Sequence, residues 1–437
     1  MSQTTDGRRR PARGAGHAGN VIRASVLLAL AATGPLAAQA PATRVAYERV
    51  VAVVRGESPF LAAARADLAA AVARTRAAGR GVATELSADL EEAPEFRVGQ
   101  AVFSLALSRE FLVGGRGGAA RSLAAADVVA ADGWLAWWDV AVGVETEREL
   151  TRWLAWSAIG SRLAAQDSLL ARAEVALRDR LAAGEGRYAD VLRVQAERLR
   201  STSERGQATA AAADARARLE GLAGGPVSEL TALLDSLAVT GVVPARPPDP
   251  APPDSLLSIA PAVRRAGDDV RRMRAEGVLV RAETRPRFRA TLGAQVAGEG
   301  AARGLGPVAG IAVSLPFTAS GANRAAVGAA TAATGATEAR LAAVRARERG
   351  VIEATARRLG ATLARVELFE TGLLTATRAE RATALDAYGA GEISLLEFLD
   401  FERAATQVEV DRLRALMDAT NAWAELWLGP SGEGDGT

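Results

Sequence analysis

The chain has 437 residues, 49% of them hydrophobic and only 4% aromatic, with 53 basic and 51 acidic side chains and no cysteine. That size and composition suit a large core or two structural repeats. They exclude disulfides, thiol chemistry and lipidation on an N-terminal cysteine.

Residues 1–40 read as a secretory signal: Arg8, Arg9, Arg10 and Arg13 precede the apolar run Ala24–Ala32, and Ala38-Gln39-Ala40 supplies a small-x-small cleavage site. The apolar run is too short to span a hydrocarbon core of about 30 Å. Removing this segment takes away five arginines (Arg23 is the fifth) and Asp6, leaving 48 basic and 50 acidic residues. The formal charge of +2 then falls to about −2, and no basic nucleic-acid footprint remains. The segment also holds His17, the only histidine. Without histidine and cysteine, the usual zinc, copper and haem sites and Ser-His or Cys-His nucleophiles are excluded, so neither cofactor nor metal is expected. The mature chain is thus read as exported without a helical anchor, which leaves a β-barrel open.

A helical pattern opens at Ser58-Pro59-Phe60 and ends near Gly79. Two alternating segments follow, Val82–Leu90 and Ala101–Phe111. From Ala119 to Gly225 there is no proline, and the stretch is rich in good helix formers. A 60-residue helix would be roughly 90 Å long, too long for an ordinary core and suited to a coiled coil or helical tube. Trp134, Trp137, Trp138, Trp153 and Trp156 fall in this stretch, and with Trp423 and Trp427 near the end of the last helix they read as packing residues, a ligand-stacking platform being the alternative. Pro244–Pro253 holds six prolines in ten residues and reads as an extended linker.

Beyond the linker the pattern starts again. Ala260-Pro261-Ala262 opens a helix, Arg287–Val296 and Ile311–Phe317 alternate, and no proline occurs between Phe317 and Gly429. Pro59 and Pro261 are offset by 202, Phe111 and Phe317 by 206, Gly184 and Gly391 by 207. Landmarks in one order at a nearly constant offset predict a duplication. The expected organisation is a first repeat over 41–243, a linker over 244–253, a second repeat over 254–429 and a tail over 430–437. In all four alternating segments one face is apolar and the other small or polar, as in a wall between lipid and water. Four strands cannot close around a pore, so several chains would have to share one barrel.

The helix breaks carry the specific signal. Tyr388-Gly389-Ala390-Gly391-Glu392-Ile393-Ser394-Leu395-Leu396-Glu397-Phe398-Leu399-Asp400 resembles the hairpin tip of TolC-type outer-membrane efflux proteins. Leu181–Leu192, with Gly184 and Tyr188, looks like its partner, with Arg187 where serine is more usual. Gly184 and Gly391 permit a tight reversal, and Ser394 with Glu397 forms a capping-box pattern. The resemblance covers about Ala46–Gly429.

It implies a mainly α fold with a β-barrel part, in which a homotrimer makes a twelve-stranded barrel in outer-membrane lipid and an α-helical tunnel across the periplasm. It further implies a passive conduit, not an enzyme, serving tripartite efflux or type I secretion. The implied partners are a periplasmic membrane-fusion adaptor and an inner-membrane pump of the RND or ABC type, with no nucleic acid. Gly184, Tyr188, Gly391, Ile393, Ser394 and Leu395 would contact the adaptor, and Glu397 and Asp400 would ring the periplasmic entrance. Ser108–Arg121, with its Gly114-Gly115-Arg116 turn, is similar to the heavy-metal (CzcC-like) branch. The alternatives are a periplasmic coiled-coil adaptor or structural envelope protein, and an acid-only hydrolase for which no spacing singles out a carboxylate pair.

Overall fold

The computed structural model describes residues 41–80, 83–91, 102–111, 114–184, 186–240, 242, 244–297, 304–314, 320–390 and 392–428. The expected signal segment 1–40, the tail 430–437, Val82, Phe317 and Gly391 lie outside the described residues.

The elements run α1 (Pro41–Glu57), α2 (Pro59–Ala77), β1 (Glu85–Glu91), β2 (Val102–Phe111), α3 (Arg116–Ala182), α4 (Tyr188–Leu222), α5 (Ser228–Thr240), α6 (Pro253–Ile259), α7 (Pro261–Glu283), β3 (Arg287–Ala297), β4 (Gly304–Ser314), α8 (Ser320–Leu368), a π-helical turn (Phe369–Leu373), α9 (Leu374–Ala390) and α10 (Leu395–Leu428). The order helix, strand, strand, long helix, returning helix therefore occurs twice. The 67 residues of α3 make a rod about 100 Å long at about 1.5 Å per residue. Among the described residues no helix is long and apolar enough to cross a membrane.

Three elements were not anticipated. They are α1, α5 and α6, the last opened by Pro253 at the end of the expected linker. Proline suits this first-turn position, because its missing N–H would have no helical partner there. A fourth correction concerns β4, which starts at Gly304 rather than Ile311. Its Gly- and Pro-rich first half has poor intrinsic strand preference. It is held extended by pairing with β3 over its whole length, Gly304↔Ala297 through Ser314↔Arg287.

By internal contacts the chain falls into two units. One takes the chain up to Val54 with Glu145–Pro250 and Ala356–Ala424; the other takes Arg55–Val144, Ala251–Thr355 and the chain from Glu425.

In the first unit, α3, α4 and α10 pack through apolar stripes at helical spacing. Ala155, Ile159 and Leu163 meet Ala208, Val410, Leu413 and Met417. Further along, Leu170, Ala173 and Leu177 meet Val191, Val194 and Leu399. Trp153 and Trp423 are buried, and Trp156 packs against the first cluster. Beside the second cluster lies a polar clasp. The buried Glu174 carboxylate accepts bonds from Gln195 Nε2 at 2.8 Å and Arg198 Nη1 at 2.6 Å. Those bonds, foremost Gln195's, hold its pKa below the ordinary value. Residues 244–252 carry no helix or strand. The Ala245 N–H donates to Tyr47 Oη at 3.4 Å, and Tyr47 Oη lies 3.3 Å from Thr151 Oγ1, which ties the extended segment to α1 and α3.

The second unit contains the sheet, ordered β1-β2-β3-β4 with every neighbour antiparallel. Below it Trp138 stacks on Phe60 of α2 at 4.9 Å and Trp134 stacks on Trp137 at 4.4 Å. The Arg265 guanidinium of α7 lies 4.2 Å over the Trp134 ring. The ring faces are turned to each other and to a cation, so this cluster glues α2, α3 and α7 together.

Candidate functional site

The strand registers decide which residues share a face. Leu86, Leu107, Leu292 and Ala309 form one cross-strand row. Ala88, Leu105, Ala294 and Pro307 form the next, and Phe111, Phe288 and Val313 close the end nearest the helices. All of these lie on one face because side chains alternate along a strand. Leu305 and Ile311 of β4 share this face by the same alternation, and its large side chains are exposed: Leu292 by 67%, Leu305 by 77% and Ile311 by 80%. The opposite face carries Ser87, Asp89, Ser104, Ala106, Ser108, Glu110, Thr291, Gly293, Gln295, Gly306 and Gly310. An exposed apolar patch of this extent needs a non-aqueous neighbour.

The dimensions fit a bilayer. Strands β2, β3 and β4 have 10, 11 and 11 residues, or about 35 Å along the strand and about 25 Å when tilted near 45°. Arg109 is the exception on the apolar face. It sits one position from Phe111's end, with its guanidinium 6.0 Å from the Phe111 ring centroid. That is where a long cation can reach a polar boundary. Among the described residues β1 pairs only with β2 and β4 only with β3, so each has an edge without a partner there.

The junction between sheet and helices is an arginine clasp. Gly114 and Gly115 adopt φ of 72° and 83°, a left-handed pair that β-carbon-bearing residues resist. This reversal puts Arg116 under the C-terminus of α7. Its guanidinium donates to the carbonyls of Ala282 at 3.2 Å, Glu283 at 2.7 Å and Arg285 at 3.1 Å, and pairs with Glu110 at 3.7 Å. Helix C-termini leave carbonyls unpaired, and a planar guanidinium can satisfy several at once. Arg285 returns a bond from its own Nη1 to Gly114 O at 2.5 Å. The Gly-Gly-Arg motif is thus a structural clasp between the end of β2 and the end of α7.

The two helix breaks differ. At the first, Gly184 has φ of 80° and donates to Leu181 O at 3.0 Å. No atom would lie within 4 Å of a β-carbon there, so only backbone conformation demands glycine. Tyr188 opens α4 and is exposed; Arg187 at its N-cap makes no side-chain cap. At the second break a reciprocal box caps the start of α10. The Glu397 N–H donates to Ser394 Oγ at 3.2 Å, and the Ser394 N–H to Glu397 Oε2 at 2.7 Å. That backbone bond lowers the Glu397 pKa. Tyr388 stacks on Phe398 at 5.3 Å. Ile393 is half-buried, and Leu395 packs against the cluster around Leu399. Asp400 accepts from Arg193 Nη2 at 3.1 and 3.0 Å. Sequence reasoning missed this partner, although the signal was present. Arg193 lies 207 residues before Asp400, the same offset as Gly184 and Gly391. These two positions, one in each of the expected halves, carry opposite charges and meet. Among the described residues no group of three or more acidic, histidine or cysteine side chains could hold a metal ion.

No protein-family model matches the sequence, and no curated protein matches it. Solved structures do match. The outer-membrane channel OprN is similar with a TM-score of 0.69 at 20% identity, covering 88% of this chain and 90% of that one. The outer membrane protein VceC from Vibrio cholerae is similar with a TM-score of 0.67 at 16% identity, over 87% of this chain and 94% of that one. CusC is similar with a TM-score of 0.64 at 15% identity, over 91% of this chain and 96% of that one. Over nearly its whole described length, the chain has the fold of an outer-membrane channel protomer.

Proposed function

We propose that this chain is one subunit of a homotrimeric channel in the outer membrane, a passive export conduit of the TolC type. The two-faced sheet carries the reading. Its exposed apolar face matches lipid, its small and polar face matches a water-filled lumen, and its two unpaired edges need strands from other copies. Three four-stranded sheets would then close one barrel of twelve. The upper part of α8 supports self-association as well: between residues 320 and 351 only Thr337 is buried within the single chain. The rods of α3, α4, α8, α9 and α10 would form the periplasmic tunnel. The tips at Gly184, Tyr188, Ile393, Ser394 and Leu395, with Gly391, would meet a membrane-fusion adaptor and through it an inner-membrane pump. Glu397 and Asp400 of three copies would make an acidic mouth that favours cations.

Paired substitutions on neighbouring residues of β2 test the sheet. Leu107→Arg puts a charge on the lipid face at mid-strand, at a cost of about 2–4 kcal/mol per subunit, and abolishes outer-membrane insertion. Ser108→Arg faces the lumen and inserts normally with altered conductance. Equal behaviour of the two variants, or a mature wild-type chain that stays in solution without detergent, refutes the reading.

A further inference from the structure

We propose that the helix-proximal start of β3 carries an anion-binding bracket, Arg287 and Arg289, which takes a carboxylate, sulfonate or phosphate group of the cargo where the sheet meets the helices. Both arginines alternate with Phe288 and Ala290 and therefore share the small and polar face with Thr291. Their Cα atoms lie about 7 Å apart along the strand, a span that two guanidiniums can close around one anionic group. The neighbours add a donor and leave room. Ser314 stands opposite Arg287, while Ala312 and Gly310 stand opposite Arg289 and Thr291. Arg287 and Ser314 are exposed, and Arg287 forms no ion pair among the described residues.

The acids on this face do not cancel the pair. Glu110 is in register with Arg289. Its carboxylate lies 3.7 Å from Arg116 and 4.0 Å from Arg289, so one acid is shared between two guanidiniums. The Glu110 side chain is 18% exposed and that of Arg289 52%, which leaves the cation open to water. Glu85 shares the face in register with Thr291 through Ser108, two strands and about 10 Å across the sheet from β3. Arg116, Arg287 and Arg289 thus outnumber Glu85 and Glu110 at this level. Asp89 is in register with Gln295 through Ser104, about 20 Å further along β3 than Arg289. The face is basic where it joins the helices and acidic towards its far end. A guanidinium is weakly hydrated, and its planar fork matches carboxylate and phosphate oxygens, so arginine suits the capture of such a group from water. In a barrel of three copies six arginines would ring one level of the lumen, where low-dielectric walls concentrate their field. That this face lines a lumen rests on the channel reading; the bracket on the face does not.

Block of the full mature chain by inorganic pyrophosphate in planar bilayers tests the bracket. Half-block of the wild-type current should need about ten-fold less pyrophosphate than in the double variant Arg287→Gln, Arg289→Gln. Raising KCl should weaken the wild-type block, because the attraction is between exposed charges. Arg109→Gln removes the same charge at the same level from the apolar face and should stay within about two-fold of wild type. Arg287→Gln alone, which breaks no ion pair among the described residues, should weaken block about three-fold. A double variant blocked like the wild type overturns the bracket, as does an Arg109→Gln variant that loses block to the same extent. Calorimetric titration of the detergent-solubilised chains with pyrophosphate reads the site without current. Binding by the wild type that the double variant loses supports the bracket, and no binding by the wild type overturns it. Should the double variant not fold, Arg287→Gln and Arg109→Gln decide by the same two readouts. A wild type that binds pyrophosphate but never conducts removes the channel reading and leaves the bracket standing.

Discussion

Replacing Arg116 by methionine should be among the most damaging single changes in the sheet-bearing unit. The residue is 6% exposed and its guanidinium makes three hydrogen bonds, two to the last carbonyls of α7 and one to the Arg285 carbonyl just beyond it. Charged hydrogen bonds are worth about 1.5–3 kcal/mol each. The three share one guanidinium and do not add in full, but the substitution also orphans the carbonyls beneath a buried apolar group. We expect a loss of about 3–5 kcal/mol. Arg116→Lys keeps the charge, but a point-like ammonium lacks the fork that spans several carbonyls, so about half of the loss should remain. Urea unfolding of the mature chain in detergent, followed by tryptophan emission, measures both; Trp134, Trp137 and Trp138 lie in the same unit as the clasp. A methionine variant within about 1 kcal/mol of wild type, or a lysine variant equal to it, would refute the clasp argument.

Gly184→Ala should cost about 1–2 kcal/mol from the left-handed backbone alone, since its β-carbon would meet nothing; Gly184→Asn should recover part of it, and equal stabilities of all three would contradict the conformational reason. Glu174 carries a lowered pKa, so its stabilisation is complete above the ordinary 4.5 and disappears as pH falls through the lower folded value. Acid unfolding of the α3–α4 hairpin should therefore steepen below about pH 4.5, and Glu174→Gln should flatten that dependence; a wild-type curve as flat as the variant's would exclude the role. Neutralising Glu397 and Asp400 together should reduce cation preference and raise leak conductance in planar bilayers, while unchanged selectivity would leave them as a cap and an ion pair only.

Much of the fold was legible because its signals are local. The two proline-free stretches, Pro59 and Pro261 at helix starts and Gly184 at a reversal follow from backbone chemistry that tertiary context did not override. The Ser394–Glu397 capping box was readable for the same reason, since both partners lie within one turn. The first half of β4 was not legible. Gly304–Gly310 has no apolar alternation, and only its pairing to β3 makes it a strand. The helices α5 and α6 were missed because they are short and flank proline-rich chain, where periodicity is weak; α1 was missed although Tyr47, Val50, Val51 and Val54 recur at helical spacing.

By itself, the sequence determined a cysteine-free chain with long alanine-rich rods, four alternating segments and a capped tip, and it led to the expectation of an exported chain of two similar halves. These are properties of neighbouring residues, which propensity and period record directly. Only the tertiary structure decided that Arg116 caps a helix 166 residues away, that Arg193 holds Asp400, and that the four apolar edges fall into one register and one exposed face. Those pairings depend on the distance between chain segments in space, which no local pattern encodes.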